Sequence, residues 1–143
     1  MPKKFKVFLD TSAILAGLNS PAGAAGVVLS LCREEAILPI ISPDIVVETD
    51  RNIGKKFPDL YHEWQSFLLI PPTITEPPTI EEIRVAFTIL PTDDAPILAS
   101  AMKAGPDFLL TWNTRHFLRT AVLEAVPFPI VVPGNFLKRF RAH

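Results

Sequence analysis

The spacing of apolar positions changes several times along the chain, and each change marks an element. Phe5 to Leu9, Ala36 to Ile41, Asp107 to Thr111 and Pro129 to Val132 contain short apolar runs that read as strands. Thr73 to Thr75 lies between Pro71-Pro72 and Pro77-Pro78, which predicts an edge strand bracketed by breakers. Helical spacing fills the gaps. Asp10-Thr11-Ser12 leads into a helix at Ala13, and Val27, Val28, Leu31 and Cys32 share one face of a helix over 24–35. Ser42-Pro43 reads as an N-cap followed by proline at the first helical position, with Gly54 as the stop. Further helices are expected over 58–69 and 79–87. Thr92-Asp93-Asp94 caps another, with Ile97, Leu98, Ala101 and Met102 on one face and Gly105-Pro106 ending it. A broken helical stretch is expected over 114–125, and a terminal helix over 135–140.

Strands and helices alternate throughout, and the core strands are apolar without alternation. That pattern belongs to a sheet covered on both faces. The expected fold is a three-layer α/β/α sandwich around a central, mainly parallel sheet. At 143 residues the chain is expected to be one domain, residues 1–143.

Composition narrows the function. Lys+Arg number 14 against 15 Asp+Glu, so bulk positive charge does not hold a polyanion; a local basic groove still can. One cysteine, Cys32, makes neither an internal disulfide nor a thiolate zinc cluster. A reducing cytoplasm is the expected compartment. Lys3, Lys4 and Lys6 before an uncharged stretch imitate a signal peptide, but Asp10 and the Asn19-Ser20-Pro21 turn interrupt it. No membrane partner is expected.

In open parallel sheets, ligands bind outside the carboxyl ends of the strands. Asp10 follows the first strand there, and Trp112-Asn113-Thr114 follow the 107–111 strand. Glu48 lies in the helix after the second strand, and Asp93 and Asp94 open another helix. Each has an ordinary reading by itself: Asp10, Asp93 and Asp94 as helix caps, Glu48 as a solvated face, Asn113 as a turn residue. Together they form a set of carboxylates that resist ionising side by side, which a hard divalent cation resolves.

The segments Val7-Phe8-Leu9-Asp10-Thr11-Ser12, Pro43-Asp44-Ile45-Val46-Val47-Glu48, Asp94-Ala95-Pro96-Ile97-Leu98-Ala99-Ser100-Ala101 and Leu109-Leu110-Thr111-Trp112-Asn113-Thr114-Arg115-His116-Phe117 carry a joint pattern. In this order it resembles the PIN-domain family of metal-dependent ribonucleases. The resemblance implies that Asp10, Glu48 and Asp94 bind Mg²⁺ or Mn²⁺, with Thr11 or Ser12 as a hydroxyl beside the first acid. Asn113 falls where many relatives carry a fourth acid, and His116 where some carry another. Asp93, Thr111, Arg115 and His116 are then supporting or substrate-facing residues. The resemblance further implies hydrolysis of RNA, a toxin role in a toxin–antitoxin pair, a small antitoxin protein as partner, and a homodimer. The competing reading is a catalytically degenerate scaffold that binds RNA or protein.

Other patterns lead nowhere. Ser12 stands where a dehalogenase-like phosphatase needs a second aspartate, and Gly23-Ala24-Ala25-Gly26 lacks the basic residues of a KH loop. His62, His116 and His143 are too scattered for a zinc motif. Trp64 and Trp112 read as packing aromatics, with base stacking as a second reading for Trp112. Arg51, Lys55, Lys56, Arg115 and Arg119 are candidates for holding phosphates.

Overall fold

The structure is a computed structural model and describes residues 3–143. Among the described residues five strands form one sheet: β1 (Lys6–Leu9), β2 (Leu38–Ile41), β3 (Thr73–Ile74), β4 (Phe108–Leu110) and β5 (Ile130–Val131). The helices are α1 (Thr11–Asn19), α2 (Ala24–Arg33), α3 (Pro43–Lys56), α4 (Tyr61–Leu69), α5 (Ile80–Ile89), α6 (Ala95–Ala104), α7 (Thr114–Phe117), α8 (Thr120–Ala125) and α9 (Pro133–Arg141).

The strand order is β3-β2-β1-β4-β5, and every neighbouring pair is parallel. The expected sheet was mainly parallel; it is wholly so. Successive crossovers move from β1 out to β3, then return past β2 and β1 to β4 and β5. Right-handed crossovers therefore put the helices before β3 on one face and those between β3 and β5 on the other. The packing agrees: α2 packs against α1 and α9, and α5 against α6 and α8. This is a three-layer α/β/α sandwich. Val7, Phe8, Leu9, Leu109 and Leu110 are completely or almost completely buried at its centre.

Local chemistry explains the element ends. Ser42 Oγ accepts the Ile45 N–H at 3.2 Å, and Pro43 occupies the first turn. Thr79 and Glu82 form a reciprocal capping box that starts α5. Gly105 ends α6 with φ of 60°, a left-handed turn that suits glycine. Gly26 sits beneath the preceding turn, where an added Cβ would lie 2.2 Å from the Pro21 carbonyl oxygen.

Several expected boundaries differ. Gly54 does not stop α3, which continues to Lys56; Gly54 is exposed and helical, and Pro58 follows the true end. α2 ends at Arg33 because Glu35 takes φ of 58°, and the Ala36 N–H returns to the Leu31 carbonyl. The segment from Pro58 begins as a 3₁₀ turn over Pro58–Leu60 before α4. Residues 92–94 form a turn, and α6 starts only at Ala95. The terminal helix is longer than expected, starting at Pro133. Trp64 is buried as expected, whereas Trp112 is 47% exposed and so is not a core aromatic.

Among the described residues no single helix is long and apolar enough to cross a membrane. α1 and α2 together have the composition, but they bend by 95° and pack into the core.

Candidate active site

Crossover direction reverses at β1, so the seam between β1 and β4 opens a crevice at the carboxyl edge. Asp10 stands at the end of β1, and its backbone N–H bonds the Leu110 carbonyl at 3.1 Å across that seam. Its carboxylate is buried. Oδ2 accepts from Ser12 Oγ at 2.9 Å and from Thr111 Oγ1 at 2.8 Å. The lattice of bonds continues: Trp112 N–H donates to Ser12 Oγ at 2.9 Å, and Asn113 N–H to Thr111 Oγ1 at 2.9 Å. The two hydroxyls thus fix both the acid and the loop after β4.

Asp10, Asp94 and Asn113 hold the N-cap positions of α1, α6 and α7, yet no side chain of the three caps its helix. Asp10 instead accepts from Ser12 and Thr111, and Asn113 donates to Asp94. Asn113 Nδ2 donates to Asp94 Oδ2 at 2.8 Å, and His116 Nδ1 lies 2.5 Å from the same oxygen. With the proton on Nδ1, the imidazole is a donor to Asp94. The remaining acids come from α3 and the turn before α6. Glu48, Arg51, Asp44, Asp93 and Asp94 line a polar cleft of about 330 Å³.

Electrostatics ties the acids to one field. Burial pushes the Asp10 carboxyl up against its hydroxyl donors, and the Asp94 charge adds to the rise. Burial, then the charges of Asp10, Asp94 and Asp93, push Glu48 up to about 7; Arg51 opposes this. Protons suppress the repulsion in the metal-free chain, and a cation would do so more strongly.

The donor chemistry fits a divalent cation. One oxygen each from Asp93 and Asp94 and one ring nitrogen of His116 lie within 4.8 Å of one another. Glu48 lines the same cleft; Asp10 is buried and does not line it, but its charge is felt at Glu48. Of the remaining expected residues, Ser12 is the hydroxyl beside Asp10, while Thr11 is buried and accepts from Thr49 Oγ1 at 3.5 Å. Arg115 is exposed, its carbonyl bonded by Arg119 Nε at 3.0 Å, and Lys55 and Lys56 are exposed at the end of α3. Two residues escaped the sequence reading as parts of this region: Asp44, which lines the cleft, and Thr49, which braces Thr11. Thr49 is four residues past Ile45 and so lies on the buried face of α3. That spacing is the signal that finds it.

A second, larger cavity of about 390 Å³ lies at the opposite edge of the sheet, among Lys6, Leu38, Thr73 and Lys103. Its lining is mainly apolar and it gathers no comparable cluster of titratable groups.

A family model described as PIN domain matches residues 6–115. The chain belongs to the PIN-domain family. No curated protein matches the sequence. The PIN fold is also seen in solved structures similar to this one. PAE2754 from Pyrobaculum aerophilum shares 17% identity with a TM-score of 0.66, covering 97% of this chain and 97% of that one. VapBC2 from Rickettsia felis, bound to a DNA fragment from their promoter, shares 16% identity with a TM-score of 0.58, covering 88% and 96%.

Proposed function

We propose that this PIN-domain protein is a divalent-cation-dependent endoribonuclease, the toxin component of a toxin–antitoxin pair. The observation that carries the reading is the grouping of Glu48, Asp93 and Asp94 around one cleft, with the buried Asp10 at the end of β1 interacting electrostatically with Glu48 and Asp94. Family membership supports it, since PIN domains are in general nucleases. The similarity to VapBC2 supports the toxin role and a small antitoxin partner. Self-association into a homodimer and a cytoplasmic location complete the reading.

In this account Asp10, Asp94 and Glu48 hold the cation, Mg²⁺ or Mn²⁺ by the family pattern. When bound, it supplies Lewis acidity toward a phosphoryl oxygen and lowers the pKa of water. The protein's own contribution is rigidity and charge. Ser12 and Thr111 hold Asp10 Oδ2 in one orientation, so little reorganisation accompanies binding. Asn113 holds Asp94 Oδ2 without adding charge. Arg51, on the wall of the cleft, faces the phosphate backbone, and exposed Trp112 offers a ring for an unstacked base.

One observation favours the scaffold alternative. Asp94 Oδ2 is engaged by both Asn113 and His116, hydrogen bonds that occupy an oxygen the cation would use. The deciding experiment is cleavage of a panel of structured RNAs by the wild-type chain and by Asp10→Asn. Cleavage by the wild type that Asp10→Asn abolishes is the expected result. Intact RNA with retained binding in both proteins would select the scaffold.

A further inference from the structure

His116 is held against Asp94 by the single turn of α7. α7 is a single turn following directly on β4. Its Phe117 is fully buried, and the Phe117 N–H bonds the Asn113 carbonyl at 3.0 Å. Anchoring Phe117 in the core fixes the turn, and His116 then meets Asp94 Oδ2. Asn113 cannot fill the place of a fourth charged ligand. Its nitrogen end, not its oxygen, faces Asp94. An amide N–H donates hydrogen bonds and does not ligate cations.

With Nδ1–H bonded to Asp94, the His116 Nε2 keeps a lone pair and is a neutral nitrogen donor beside this acid. Opposed donors on one ion stand roughly 4–5 Å apart, because each bond is about 2.0–2.6 Å. One donor atom each of Asp93, Asp94 and His116 lies within 4.8 Å of the others, a spacing that a single ion can span.

We propose that the His116 imidazole is a direct ligand of the cation in this cleft, and that the mixed nitrogen–carboxylate set selects ions of the Co²⁺, Ni²⁺ and Zn²⁺ type over Mg²⁺. Mg²⁺ favours an octahedron of oxygens and gives up its waters reluctantly. Imidazole suits the later divalent ions, whose affinities rise along the first transition row. Asn113 and His116 then act together: the amide holds Asp94 Oδ2 and the imidazole supplies a neutral nitrogen. The inference rests on the reading of this cleft as a divalent-cation site.

The test uses the full chain without RNA. Mn²⁺ is added as a paramagnetic probe, and pulsed electron paramagnetic resonance reads nitrogen coupling with natural-abundance and ¹⁵N-histidine protein. Calorimetry measures Co²⁺ and Mg²⁺ affinities for the wild type, His116→Ala and His116→Gln. The expected result is a histidine-nitrogen coupling that is lost in both variants. Co²⁺ affinity should fall by about tenfold or more, against less than roughly threefold for Mg²⁺. The labelled protein carrying His62→Gln and His143→Gln assigns the coupling to His116 whether or not a His116 variant folds. If Mn²⁺ binds, Asp94→Asn weakens it, and no histidine nitrogen is coupled, the inference is overturned while the cation-site reading stands. Histidine coupling together with intact RNA in the cleavage assay supports the inference and removes the ribonuclease reading. No binding of any of the three ions overturns both.

Discussion

Thr111 Oγ1 donates a 2.8 Å hydrogen bond to Asp10 Oδ2, joining two residues 101 positions apart across the β1–β4 seam. Both groups are buried, so this bond is not exchanged for water. Thr111→Val keeps the shape and removes the donor. It is expected to cost about 1–3 kcal/mol, because a buried carboxylate loses a partner. It should also loosen cation binding by leaving Asp10 less fixed. Urea unfolding and calorimetry check both effects; a variant equal to wild type in each would show that Ser12 alone suffices.

Asn113→Asp exchanges a donor for an acceptor at 2.8 Å from Asp94 Oδ2. Without a cation, two carboxylate oxygens then face each other, and stability is expected to fall by roughly 1–3 kcal/mol. With one, the added charge should strengthen Mg²⁺ binding and raise cleavage. Opposite changes in metal-free stability and in Mg²⁺ affinity are the signature. If neither moves, Asn113 is a turn residue.

The metal-free protein should lose stability as pH rises. Glu48 is raised from its ordinary value near 4.5 to about 7, and Asp10 is raised as well. Between those pH values the folded chain retains protons that the unfolded chain has released, so ΔG of unfolding falls with pH. Below about 4.5 the contribution is fully present, and above about 7 it is lost. Urea midpoints in chelator should decline from pH 5 to 7.5, and Glu48→Gln should flatten the decline. Saturating divalent cation should reverse the slope, since its ligands bind deprotonated. The same slope in Glu48→Gln and wild type would remove Glu48 as its source.

α5 leaves Ile80, Val85 and Phe87 between 51% and 70% exposed, with Leu69 and Ile74 exposed nearby in sequence. Exposed apolar area of this kind is expected to be covered by a second chain. Light scattering should give a dimer, and Phe87→Asp should shift it toward monomer. A monomeric wild type at high concentration would contradict the expectation.

The strands were legible in the sequence because buried parallel strands are short apolar runs between breakers, as at Val7 to Leu9 and Phe108 to Leu110. Ser42 and Thr79 were legible as caps and do cap their helices. Asp10, Asp94 and Asn113 belong to the same capping class, and only tertiary partners distinguish them. A capping role and a site role demand the same short polar side chain at the same helix end. Gly54 misleads for a related reason: glycine at a helix end signals a stop only when the backbone takes a left-handed turn, and here it does not. The contact of His116 with Asp94 depends on how α7 follows β4, which periodicity over a single turn does not reveal.

The most direct measurement of the central claim is cleavage of a responsive RNA with the divalent cation removed and then restored. The account predicts no cleavage in excess chelator, recovery when the cation is returned, and a loss of roughly 100-fold or more in Asp94→Asn. Full cleavage in excess chelator, or an Asp94→Asn protein as active as wild type, would contradict it.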